Sequence, residues 1–215
     1  QYRFRNGSSV SFEAFKVKTE QLLSDVKDYL KSNPKELNWE QMNIHDIGQR
    51  IVWGDQDKYI GDKVASWNMK LEPRDNHFDR TVLVTTPLKD PGAYLVVAKL
   101  ADGNISRIIV WLNDTVIIKK PGNMNSIYFV ADAVTGKPLP RIKLDFFGYE
   151  QKYLDRKIVN KITGRQYDTL TAAVTVETND EGLAIVDQKT VSDRMQWVIS
   201  TAPDSGRFAY LGFTG

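Results

Sequence analysis

IYFVADAVTGKPLPRIKLDFF, residues Ile127 to Phe147, holds two alternating apolar runs joined by the turn Gly136-Lys137-Pro138. In the second run Ile142, Leu144 and Phe146 fall on one face of a strand of period two. Downstream, the short turn Asn179-Asp180-Glu181-Gly182 precedes another strand-like run. Short alternating strands punctuated by Gly, Pro and Asn predict a β-sandwich module of the extracellular type, with the first two runs forming a hairpin. Modules of that kind bind and space other molecules and rarely catalyse.

The chain has 215 residues, 41% hydrophobic and 26% charged. A single sandwich takes about 100 residues, so two fit. With 29 Lys and Arg against 27 Asp and Glu the net charge is only +2, and no long basic block stands out, which argues against a nucleic-acid partner. Cysteine is absent, which removes disulfides, thiolate zinc sites and thiol nucleophiles together. No run reaches the eighteen or so apolar residues needed to span a bilayer, and no charged-then-apolar signal opens the sequence. Starting at Gln1 without Met, the sequence reads as a piece of something larger.

In the first half, Phe12, Ala14 and Phe15 mark a short strand. Leu22, Leu23, Val26 and Leu30 then recur at helical spacing, with Thr19 as N-cap and Asn33-Pro34 as the stop, which predicts one amphipathic helix. Lys35 to Ile51 is irregular and predicts short helical turns and loops. From Lys63 the pattern becomes β, with runs at 64–71, 81–86, 94–100 and 105–112. The last two face each other across Ala101-Asp102-Gly103-Asn104, a hairpin signal because Asp-Gly tolerates positive φ. Both runs are apolar on both faces, so something covers the outer surface; the helix at Glu20 to Leu30 is the simplest cover. IIKKPGNMN, Ile117 to Asn125, has the composition of a linker and sets the boundary near Pro121. The second half continues with strands at 127–133, 142–147, 170–177, 183–187, 195–201 and 208–213. Between Tyr149 and Asp168 a charged stretch with Lys152, Arg156, Lys157, Lys161 and Arg165 reads as a hairpin-like excursion with a solvated face.

Chemistry leaves constellations of residues, and none here survives inspection. His45 and His77 lie far apart and give no zinc-ligand spacing. Asp55 and Asp57 begin like a calcium loop, but Tyr59 and Ile60 stand where an oxygen ligand and Gly belong. The acidic Asn179 to Gly182 turn needs Gly182 at positive φ and lacks further metal ligands. Glu36 and Glu40 have helical spacing and read as a solvated helix face. There is no Gly-x-Ser-x-Gly elbow and no phosphate-cradling Gly-rich loop. Trp111 and Trp197 sit in apolar strand runs, and Trp39, Trp53 and Trp67 in or beside the irregular segment, where packing explains them; Phe147 and Tyr149 follow the alternation and are the aromatics expected to be exposed. The expectation is no catalytic, cofactor-binding or metal-binding residue, no cofactor and no enzymatic activity.

With these residues laid out, the chain resembles the bacterial alpha-2-macroglobulin family. The resemblance is carried by RFRNGSSVSFEAF at Arg3 to Phe15, LLSDVKDYLKSNP at Leu22 to Pro34, and LEPRDNHFDRTVLVTTPLKDPGAYLVVAKLADGNISRIIVWLNDT at Leu71 to Thr115. It continues through YFVADAVTGKPLPRIKLDFFGYE at Tyr128 to Glu150 and YLGFTG at Tyr210 to Gly215. These are scaffold patterns, spread over nearly the whole chain. The resemblance implies a mainly β fold of two tandem fibronectin- or immunoglobulin-like macroglobulin sandwiches, at 1–120 with a helical insertion at about 18–65, and at 121–215. It further implies a non-catalytic scaffold fragment of an envelope-associated, periplasmic or extracellular protease trap. Its partners would be neighbouring domains of the same chain and, through the full-length protein, target proteases. The thioester that many members carry needs Cys and cannot lie here, and no low-complexity stretch resembles their bait region. The competing expectation is a surface adhesin or a carbohydrate- or peptide-binding sandwich, marked by an exposed aromatic row.

Overall fold

The computed structural model describes residues 1–44, 47–53, 57–101, 103–154 and 165–214. Its elements run in the order β1 (Tyr2–Phe4), β2 (Ser9–Val17), α1 (Thr19–Lys31), α2 (Trp39–Met42), α3 (Ile47–Trp53), β3 (Ile60–Lys70), β4 (Arg80–Val82), β5 (Gly92–Leu100) and β6 (Ile105–Leu112). They continue with β7 (Thr115–Pro121), β8 (Asn125–Asp132), β9 (Lys143–Tyr153), β10 (Tyr167–Glu177), β11 (Leu183–Asp187), β12 (Gln196–Thr201) and β13 (Tyr210–Thr214). Two compact units result, Gln1–Thr19 with Ile47–Leu112, and Glu20–Asp46 with Asn113–Gly215.

The first unit carries a four-stranded antiparallel sheet in the order β3-β2-β5-β6 and a two-stranded sheet, β1-β4. Alternation along β2 sends Val10, Phe12 and Ala14 to one face, where they join Phe4, Leu71, Val96 and Ala98 in a buried core. Trp67 stacks on Phe12 with ring centroids 5.1 Å apart. β5 and β6 form the expected hairpin, closed by the Gly103 amide donating to the Leu100 carbonyl, with Gly103 at φ +99°; Asp102 lies outside the described residues. β5 is buried on both faces from Gly92 to Ala98, as its doubly apolar sequence predicts. β6, the edge strand, is not: Ile105 and Ile108 remain exposed.

The second unit is a sandwich of seven strands among the described residues, β10-β9-β12-β13 facing β11-β8-β7. Tyr128 and Val130 of β8, Ile117 of β7 and Ala184 and Val186 of β11 meet Leu144 and Phe146 of β9 and Trp197 and Ile199 of β12 between the sheets. Each large apolar side chain sealed there contributes about 1.5–3 kcal/mol. In the strand predicted at 170–177, Ala172, Val174 and Val176 pack on this core, whereas Leu170, expected on the same face, is 41% exposed.

Several expectations are corrected. The runs within 127–147 are β8 and β9, but they do not form a hairpin: they belong to opposite sheets, and Tyr128 meets Phe146 edge to face across the core at 4.9 Å. The segment taken for a linker is largely β7, whose whole length from Thr115 to Pro121 pairs with β8, because Val116, Ile117 and Ile118 are strand formers that the Lys-Pro-Gly composition obscures. The helix expected over the first sheet, α1, is grouped with the second unit, burying Leu22, Val26 and Leu30 and placing Lys27 and Lys31 over the Phe147 ring. Phe147 and Tyr149 are accordingly buried, at 2% and 7% exposure, rather than displayed. The charged excursion does begin as a hairpin, β9 and β10 pairing out to Tyr153 and Tyr167, while residues 155–164 lie outside the described residues.

Candidate functional site

At one end of the second unit the two turns that opened the sequence reading come together. The Asp132 carboxylate accepts from the Val134 and Thr135 amides at 3.1 and 2.8 Å and from the Thr135 hydroxyl at 3.0 Å, the geometry of an aspartate-nucleated turn. Its other oxygen accepts from Arg207 Nη1 at 2.9 Å. The Thr135 amide first, and the Arg207 guanidinium next, hold the Asp132 carboxyl well below the usual carboxylate range. In the second turn Asn179 Oδ1 accepts from the amides of Glu181 at 3.0 Å and Leu183 at 2.9 Å, and Gly182 adopts φ +72°. The Gly182 carbonyl accepts from the Val130 amide at 2.8 Å, while a Cβ on Gly182 would meet the Val130 carbonyl oxygen at 2.7 Å. Positive φ at Gly182 was legible in the sequence; the turn, however, carries the chain from one sheet to the other instead of closing a hairpin.

A further polar cluster joins α1 to β10. Asn33, just past the helix and at φ +52°, accepts from the Thr169 amide at 2.8 Å and donates to Asp168 at 3.1 Å, and its carbonyl accepts from Arg165 Nη2 at 2.7 Å. Asn33, ahead of Arg165, depresses the Asp168 pKa. In the first unit Asp79 accepts from both Arg3 and Arg5, which lower its pKa to about 2. In each cluster the carboxylate is ionised and already occupied by its donors, which suits structural pinning and not proton transfer near neutral pH.

The sequence candidates are dispersed. His45 and Asp55 lie outside the described residues, as does the side chain of Trp53. His77 Nδ1 stands 2.8 Å from Asn6 Oδ1, and Asp57 opens a short 3₁₀ turn before β3. Glu36 lies in a loop and Glu40 in α2, so the two do not share a helix, although both are exposed. Trp197 is sealed in the second core and donates to the Ser192 carbonyl at 2.7 Å. Trp39 is 66% exposed. Among the described residues no group of three or more His, Asp or Glu side chains is placed to hold a metal.

No family model and no curated protein matches the chain. Among solved structures it is similar to native alpha-2-macroglobulin from Escherichia coli spanning domains NIE-MG1, with a TM-score of 0.53 at 15% identity, covering 98% of this chain and 86% of that one. A longer piece of the same protein, spanning MG0-NIE-MG1, gives a TM-score of 0.48 at 15% identity over 98% of this chain and 56% of that chain. The chain thus has the mainly β macroglobulin-type fold of the NIE-MG1 region, with a small helical portion.

Proposed function

We propose that the chain is a pair of non-catalytic scaffold domains from a bacterial alpha-2-macroglobulin-like protease trap of the cell envelope, positioning neighbouring domains of the same polypeptide. The observation that carries this reading is the fold likeness, which extends over both units and not one sandwich alone. A two-domain reading, expected with its boundary near Pro121, is supported by the division into two compact units, one of which ends at Leu112, although Glu20–Asp46 groups with the second unit. In this family a protease cleaves a bait region elsewhere, and the collapse that follows entraps it; these domains would move in that collapse as rigid bodies. Small-angle scattering of the full-length protein before and after protease treatment tests the reading. A contraction of the whole particle is expected. Unchanged profiles, or saturable glycan binding by this chain, would replace the trap reading with adhesion.

A further inference from the structure

Asn6-Gly7 is the one Asn-Gly pair in the sequence, and it lies in the connection between β1 and β2. The pair matters chemically because glycine, lacking Cβ, lets its own backbone nitrogen approach the side-chain amide carbon of the residue before it. Asn33 and Asn179 lack that opening. Asn33 precedes Pro34, whose nitrogen carries no hydrogen, and Asn179 precedes Asp180 and has its Oδ1 engaged by two turn amides. Asn6 is exposed, and Gly7, at φ +99°, donates its amide to no acceptor among the described residues. A nucleophile, an electrophile and water thus stand side by side.

A further side chain meets the same amide. Asn76 and His77 take φ +59° and +61° in succession, a backbone that asparagine tolerates and histidine adopts under strain. Strain of this kind persists where the surroundings hold it, and it gathers at functional positions. Here it sets His77 Nδ1 2.8 Å from Asn6 Oδ1. An amide oxygen only accepts, so His77 Nδ1 carries the proton and donates. Arg5 Nε donates to Asp79 Oδ1 at 2.9 Å, tying the residue before Asn6 to the segment that follows His77. Oδ1 is the atom on which negative charge develops when the amide carbon is attacked, so the His77 hydrogen bond strengthens in the transition state.

We propose that Asn6 is a self-modifying position, converted by the Gly7 backbone with His77 as the catalytic residue. The Gly7 nitrogen gives its proton to solvent and bonds to Asn6 Cγ, and His77 Nδ1–H stabilises the resulting oxyanion. The Cγ–Nδ2 bond then breaks, and Nδ2 takes a proton and leaves as ammonia. Water opens the cyclic imide at either carbonyl, leaving aspartate or isoaspartate at position 6; nothing is oxidised or reduced. Either product sets a carboxylate against the His77 ring. The isoaspartyl form also routes the main chain through Cβ, lengthening the link into β2 just before Ser8, whose carbonyl accepts from the Leu71 amide. The first unit thereby carries a one-way record of its age.

The test incubates the 215-residue chain near neutral pH and follows position 6 by mass spectrometry of its peptides, with isoaspartate separated from aspartate by chromatography. The capped peptide acetyl-Phe-Arg-Asn-Gly-Ser-Ser-amide supplies the rate without the fold. Asn6 is expected to convert faster in the folded chain than in the peptide. Two variants isolate the imidazole: His77→Gly relieves the left-handed backbone, and His77→Phe keeps a ring without the Nδ1–H. Both should slow conversion about tenfold, less than the loss of an enclosed oxyanion donor because Asn6 and His77 are exposed. His77→Gly should do so without lowering the thermal midpoint, which separates lost chemistry from a loosened turn. Conversion in the folded chain no faster than in the peptide would overturn the proposal. So would an undiminished rate in either variant.

Discussion

Gly182 does two things that no other residue can do at once. It sits at φ +72°, and its missing Cβ leaves room for the Val130 carbonyl, which a methyl group would meet at 2.7 Å. Gly182→Ala therefore combines a left-handed backbone penalty with a collision against main chain that β8 pairing holds in place. A loss of roughly 2–4 kcal/mol is expected, read from urea unfolding of the chain. Half of this was legible in the sequence, since Asn-Asp-Glu-Gly demands a positive φ at Gly; the packing half was not, because nothing in Asn179 to Gly182 reports that β8 passes alongside. Gly148 is the opposite case. It sits on β9 with the Trp197 ring 2.7 Å from where a Cβ would lie, and no turn chemistry in the sequence flags it.

At the scale of elements, the end of α1 shows how a helix stop becomes a sheet brace. Asn33-Pro34 was readable as the stop. Once Asn33 takes the left-handed cap position, its side chain reaches β10, the edge strand of its sheet, and covers the Thr169 amide that edge leaves free. Asn33→Gly preserves the cap conformation and removes both side-chain hydrogen bonds, for an expected loss of about 1–3 kcal/mol. Asn33→Ala should cost more, by the strain of Ala at positive φ; an unchanged stability of Asn33→Gly in chemical denaturation would show that the side-chain bonds carry nothing, and equal losses for the two variants that the strain does not. The misread hairpin belongs to this scale too. Gly136 and Pro138 announce a reversal of the chain, but only a loop of two to five residues obliges the flanking strands to pair. Residues 133–142 separate β8 from β9, with Arg141 at φ +57°, which is length enough to cross from one sheet to the other. Strand positions were therefore legible from alternation, whereas sheet membership was not, since alternation fixes which side chains share a face but says nothing about which strand lies next door.

For the molecule as a whole, the same carboxylates that pin the turns set its response to acid. Asp79, Asp132, Asp168, Asp204 and Glu13 all have lowered pKa values, caused first by hydrogen bonds from Arg5, the Thr135 amide, Asn33, Lys143 and Lys99 respectively. A carboxyl whose folded pKa lies below its unfolded value stabilises the fold fully above the unfolded value and loses that contribution as pH falls. For Asp79 the window runs from 3.8 down to about 2. Thermal midpoints should accordingly hold near neutrality and fall below about pH 4, and Asp132→Asn should lower the midpoint at pH 7 while flattening the acid limb. A midpoint independent of pH between 5 and 2.5 would contradict this. The pinning has one more consequence, which concerns the sheet β11-β8-β7. Its outward residues Ile118, Ile127 and Ile185 are as apolar as its inward Ile117, Val130 and Val186. Hydrophobicity alone thus cannot tell this sheet's correct pairing from one displaced by a single residue, a slip that would turn every side chain to the opposite face at little apolar cost. The choice falls to the polar anchors gathered at one end of the strands, Asp132 and Asn179, which act as index pins and make the fold's uniqueness, more than its depth, the property that those two side chains determine.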